Sequence, residues 1–140
     1  MQEQTIIECV RDYIAACPLL SDIMGRHIDW TEETPDNYGI FPNGDVPSGS
    51  KYIDGTEERQ YRFSFYIRKM TDTDVSRLEN SGFLEALQRW FNNHSLVLPE
   101  DCDFRDISAE NAMLLESSET GAESTYQVQC AIDYLYLGKD

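Results

Sequence analysis

Residues 59–69 read Arg-Gln-Tyr-Arg-Phe-Ser-Phe-Tyr-Ile-Arg-Lys, and they constrain the fold more than any other stretch. Tyr61, Phe63, Phe65 and Ile67 alternate with Gln60, Arg62, Ser64, Tyr66 and Arg68. A period of two is the signature of a long, half-buried strand, since successive side chains point to opposite faces of a sheet. No catalytic residue type lies on its apolar face, so the segment reads as scaffold. Directly after it the spacing predicts a helix over 74–93, with Asp74 as its N-cap and Val75, Leu78, Phe83, Ala86, Leu87, Trp90 and Phe91 as its apolar stripe. Gly82 interrupts that stripe and suggests close packing by another element.

A chain of 140 residues suits one domain, and 41% hydrophobic residues argue for a packed core without disulfides or metal. Charge is the unusual property: 26 acidic residues against 11 basic ones give a net of −15. Such a surface repels nucleic acid and anionic membranes, which both gain affinity from Lys and Arg. Cys9, Cys17, Cys102 and Cys130 form no CxxC pair and have no His at ligand spacing, so neither zinc nor a disulfide framework is expected. Cys130 reads as a small buried thiol. The opening residues lack the basic and apolar regions of a secretory signal, and no apolar run approaches the roughly 20 residues of a membrane span. The expectation is an intracellular protein with reduced thiols.

Elsewhere, residues 2–16 show the spacing of an amphipathic helix through Ile6, Ile7, Val10, Tyr13 and Ile14, stopped by Pro18. Short strands are expected over 27–31 and 38–42. Residues 43–50, rich in Gly, Pro and Ser, read as a mobile loop, and Asp54-Gly55 as a turn. Two further strands over 106–116 and 125–137 flank a polar tip at 117–124, again expected to be mobile with nothing to bury. In the last strand Tyr126, Val128, Cys130, Ile132, Tyr134 and Tyr136 share one face. The order α-β-β-β-α-β-β predicts a single α+β domain spanning 1–140, mostly antiparallel, with two helices on one face of the sheet.

The search for chemistry returns little. His27 and His94 have no neighbours that would make them ligands or bases, and Asn43-Gly-Asp-Val-Pro-Ser-Gly49 lacks the Lys-Ser/Thr of a phosphate loop. Acidic clusters at Glu32-Glu33, Glu57-Glu58 and 100–103 lack the ligand pattern of a calcium loop and read as solvated loops. Neither a cofactor nor an enzymatic activity is expected. The polar face of the long strand carries Tyr66 between Arg62 and Arg68, residue types enriched at protein interfaces. That face is read either as an ordinary solvated surface or as an assembly surface, with Arg62, Tyr66 and Arg68 as subunit-contact candidates.

One resemblance bears on this choice. Cys17-Pro-Leu-Leu20, Asp29-Trp30, Tyr38-Gly-Ile40 with Pro42, Lys51-Tyr-Ile-Asp-Gly-Thr56, Arg59-Gln-Tyr-x-Phe-x-Phe65, Leu78-Glu-Asn-Ser-Gly-Phe83, Trp90 and Tyr126-Gln-Val-Gln-Cys130 occur in order along nearly the whole chain. Together they resemble the tail terminator, or tail-completion, proteins of phages and prophages of Gram-positive bacteria with long non-contractile tails. The pairing of R-Q-x-x-F-x-F with L-E-N-S-G-F is its specific part. The resemblance implies an α+β virion protein that forms a hexameric ring, caps the major tail tube protein and meets a head–tail connector, first in the host cytoplasm and then in the virion. The alternative is an acidic, non-enzymatic adaptor or inhibitor that imitates DNA, which would need carboxylates gathered on one face.

Overall fold

The computed structural model describes residues 5–20, 23, 25–28, 37–71 and 73–137. Helix α1, Ile6–Ala15, starts at Thr5, whose Oγ1 accepts from the Glu8 N–H at 3.3 Å, and gives way to a 3-10 turn at Pro18–Leu20. The strands are β1 (Gly25–Ile28), β2 (Asn37–Lys51), β3 (Glu57–Met70), β4 (Cys102–Ser117) and β5 (Glu123–Tyr136), with helix α2 (Asp74–Asn93) between β3 and β4. The expected order and the α+β class therefore hold. Residues 2–4 and 29–31 of the expected first helix and first strand lie outside the described residues.

All five strands form one sheet in the order β1-β2-β3-β5-β4. Only β1 and β2 run parallel; the other neighbours are antiparallel. The alternation of β3 sets the layers. Ile40, Phe65 and Val128 stand in one cross-strand row, and Tyr61, Ile132 and Ile107 in another. Val10 and Ile14 of α1 and Leu84, Leu87 and Phe91 of α2 join these rows in one hydrophobic cluster, so both helices cover the same face. Tyr13 ties the helices together, its ring 4.8 Å from that of Trp90 and its hydroxyl donating to the His94 carbonyl at 2.7 Å.

Several local expectations are corrected. Residues 43–50 belong to β2 and pair with β3 from Gly44 through Pro47. Among the described residues β1 pairs with β2 only as far as Ile40, and Pro42 and Pro47 lie beyond it, where a missing N–H on an outer edge costs no ladder bond. Gly44 absorbs the register shift after Pro42 with φ +118°, which favours glycine. The tip at 117–124 does have something to bury. Ser124 is fully buried, and Thr71 Oγ1 bonds both Ser124 Oγ and the Gly121 carbonyl at 2.8 Å.

Helix α2 spans the expected residues, but its cap is Thr73 and not Asp74: the Thr73 Oγ1 accepts from the Ser76 N–H at 3.0 Å. Its buried stripe is Asn80, Leu84, Leu87 and Phe91, whereas Val75 and Leu78 are 66% and 76% exposed. Two residues turn a helix by about 200°, so Leu78 stands opposite Asn80. The buried Asn80 is not out of place, because its Nδ2 donates to the Met70 carbonyl at 2.8 Å and closes the end of β3. Gly82 does not admit a neighbour either; a Cβ there would meet nothing within 4 Å. Gly82→Ala is therefore expected to raise stability by about 0.5–1 kcal/mol. Urea unfolding checks this, and a loss of stability would mean that Gly82 has a packing role.

Candidate assembly surface

Among the described residues no helix covers the second face of the sheet. Arg62, Tyr66 and Arg68 all lie on it, spaced along β3, but the structure gives them different roles. Arg68 is committed within the subunit: its Nε lies 3.6 Å from Glu123 Oε2, and NH1 donates to Thr125 Oγ1 at 2.8 Å. Tyr66 is half-buried, its ring edge-on to that of Phe41 at 4.9 Å. Arg62 is exposed and donates to Gln60 Oε1 at 2.6 Å, with no ion pair among the described residues. Around it lie Asn43, Ser108, Glu110, Gln129 and Ala131, which with Gln60 line a shallow trough of about 420 Å³. The amides here are all engaged within the sheet: Asn111 donates to Gln129 at 2.7 Å, Asn43 to Ser64 Oγ at 2.6 Å and Gln60 to Asp133 at 3.0 Å.

A polar network missed by sequence reasoning sits at the other end of the sheet, beside the α1 N-terminus. Tyr134 donates to Asp45 Oδ2 at 2.6 Å, Arg59 Nε reaches Asp45 Oδ1 at 3.2 Å, and Arg59 also pairs with Glu57. Burial, with the bond to Asp45 second, pushes the Tyr134 phenol well above its usual range. Asp45 joins β2 to β5 across β3, a contact that could not be foreseen while 43–50 was read as a loop. These groups are bonded to one another, which suits a structural clamp.

The cysteines are chemically quiet. Burial raises the pKa of all four thiols; Cys102 is pushed up to about 12 by burial and by the Asp101 carboxylate beside it. A thiol held protonated is a poor nucleophile at neutral pH. His94 stacks on Trp90 at 4.7 Å, with Nδ1 2.8 Å from the Trp90 carbonyl, and so serves the end of α2. Among the described residues no group of three or more His, Cys, Asp or Glu side chains is placed to hold a metal, and no helix is long and apolar enough to cross a membrane.

What the subunit exposes is more telling. Met113, Leu114 and Leu115 near the end of β4 are 50%, 46% and 48% exposed, in addition to Val75 and Leu78 on α2. Single exposed apolar residues are ordinary, but consecutive ones on a strand edge are not. No protein-family model matches the chain, and no curated protein matches it.

Proposed function

We propose that this protein is a virion structural protein, the terminator that caps a phage or prophage tail tube and offers the joining surface to the head. It acts as a homo-oligomeric ring, expected to be hexameric, with the major tail tube protein and a head–tail connector as partners. It assembles in the bacterial cytoplasm and ends in the tail. The observation that carries this reading is where the apolar excess lies. The ionisable groups of the helix-side network are spent on one another, while Leu78, Met113, Leu114 and Leu115 face outward. Such a division suits a subunit whose work is contact. The L-E-N-S-G-F segment fits the same view. Asn80 and Phe83 bind it to the end of β3, through the Met70 carbonyl and through the Lys69 ammonium 4.6 Å from the Phe83 ring, while Leu78 is left outside.

The acidity has a physical use in this role. A negative lumen repels the phosphates of a passing genome, so DNA slides instead of binding. Stacked tube rings present a self-complementary open end, and such heterologous contacts continue until a different subunit occupies the last site. Deleting the gene is therefore expected to leave tubes of uncontrolled length and heads that fail to join them. Electron microscopy of the deletion lysate is the test; normal-length tails joined to heads would refute the role.

A further inference from the structure

Among the described residues the sheet ends at β1 on one side and at β4 on the other, and the register places these two edges at the same height. Following the cross-strand pairs, Arg26 stands opposite Tyr38, Tyr38 opposite Ile67, Ile67 opposite Tyr126 and Tyr126 opposite Leu114. The next row runs from His27 through Gly39, Tyr66 and Gln127 to Met113. A third runs from Gly25 through Asn37, Arg68 and Thr125 to Glu116. The four-residue strand β1 on one side is thus level with the apolar stretch of β4 on the other. Among the described residues no strand pairs with the outer edge of either.

The two ends of β4 are treated differently. At Ala109 the outer edge is already occupied: the Asn92 side chain accepts from the Ala109 N–H at 2.8 Å, while Asn92 and Gln88 donate to its carbonyl at 3.3 and 3.1 Å. Two amides of α2 thereby stand in for a neighbouring strand. Beyond Asn111 no such side-chain cover is present among the described residues; Met113, Leu114 and Leu115 lie there with no Lys and no Pro, between one register shift at Glu110/Met113 and another at Leu114/Glu116. Those irregularities and Glu116 blunt the edge in part, but the apolar run itself stays uncapped.

We infer that the open edge of β4 at residues 112–116 pairs with β1, Gly25–Ile28, of a second copy of this chain, and that this seam closes the ring. The inference rests on the ring reading above and names its contact. Direction allows it: β1 is parallel to β5 and β5 antiparallel to β4, so a copy rotated about an axis along the strands brings β1 antiparallel to β4. Height favours it too. A closed ring needs zero axial rise from copy to copy, whereas edges at different heights would build a helix. Charge selects β1 over a second β4. Pairing β4 with β4 would bring Glu110 and Glu116 of both copies together, whereas Gly-Arg-His-Ile contains no acid. Each seam is only four residues long and joins subunits of net −15, so closure is favoured when salt shortens the screening length to about 3 Å near 1 M.

Cysteine pairing tests the seam. Leu114→Cys and Arg26→Cys are made separately, each checked by circular dichroism for a native fold. They are then mixed at high protein concentration in 1 M salt and mildly oxidised, with the unsubstituted protein as control. A one-to-one disulfide between the two variants, mapped by peptide mass spectrometry, is the expected result, since facing residues of an antiparallel pair lie within about 4.5–5.5 Å of each other. Leu114→Cys linking to itself would overturn the seam in favour of a two-fold contact. Rings visible by electron microscopy with no cross-link would overturn it while leaving the ring reading intact. Absence of any oligomer by native mass spectrometry would overturn both. Should Arg26→Cys misfold, Ile28→Cys with Ala112→Cys repeats the test at a neighbouring level.

Discussion

Phe65→Ala is expected to lower the free energy of unfolding by about 3–5 kcal/mol, a large share of the roughly 5–15 kcal/mol of a typical domain. Phe65 is fully buried at the centre of β3. Its ring lies 5.1 Å from Tyr38 on β2 and 5.9 Å from Phe91 on α2, so one side chain joins the sheet to its helical cover. Truncation leaves a cavity bounded by elements held by their own ladders and unable to collapse into it. Phe41→Ala makes the control, because Phe41 packs on the open face against Tyr66 and is only half-buried. Urea unfolding of both variants decides the matter. A loss below about 1 kcal/mol for Phe65→Ala would be incompatible with a fully buried ring.

Arg62→Glu is expected to abolish rescue of the deletion while leaving the subunit folded, with stability changed by no more than about 0.5 kcal/mol. Arg62 is exposed, it donates to the neutral Gln60, and among the described residues no carboxylate pairs with it. Reversal makes a chain of net −15 still more acidic at the middle of its open face. If that face meets another subunit or the tube end, a like-charge contact replaces an attractive one. Arg68→Glu would be a poorer probe, since it would face Glu123 and disturb β3 and β5 from within. A folded Arg62→Glu protein that restores joined particles would remove Arg62 from the contacts and leave the terminator role standing.

Much of the fold was legible because it depends on short-range periodicity. The alternation of Tyr61, Phe63, Phe65 and Ile67, and of Val128, Cys130 and Ile132, set which side chains are buried and made β3 and β5 the middle of the sheet. The helix pattern placed α1 and α2, and the polar segments placed the turns. What failed were judgments about residues whose local preference opposes their final state. Residues 43–50 look like a loop because Gly, Pro and Ser dominate, yet β3 offers a ladder, and among the described residues none pairs with the outer side beyond Ile40, where two prolines cost no bond. Leu78 looks like core and Asn80 like surface, but the end of β3 needed a donor at its Met70 carbonyl, and that fixed the rotation of α2.

Of the candidate surface, the sequence alone determined that Arg62, Tyr66 and Arg68 share a face, since a period of two requires it. Only the tertiary structure could separate them, because the partners of Arg68, Glu123 and Thr125, arrive from a strand more than fifty residues away. The level match between β1 and residues 112–116 of β4 is a property of four successive registers. No local pattern encodes it; it exists once β1, β2, β3, β5 and β4 have been laid side by side.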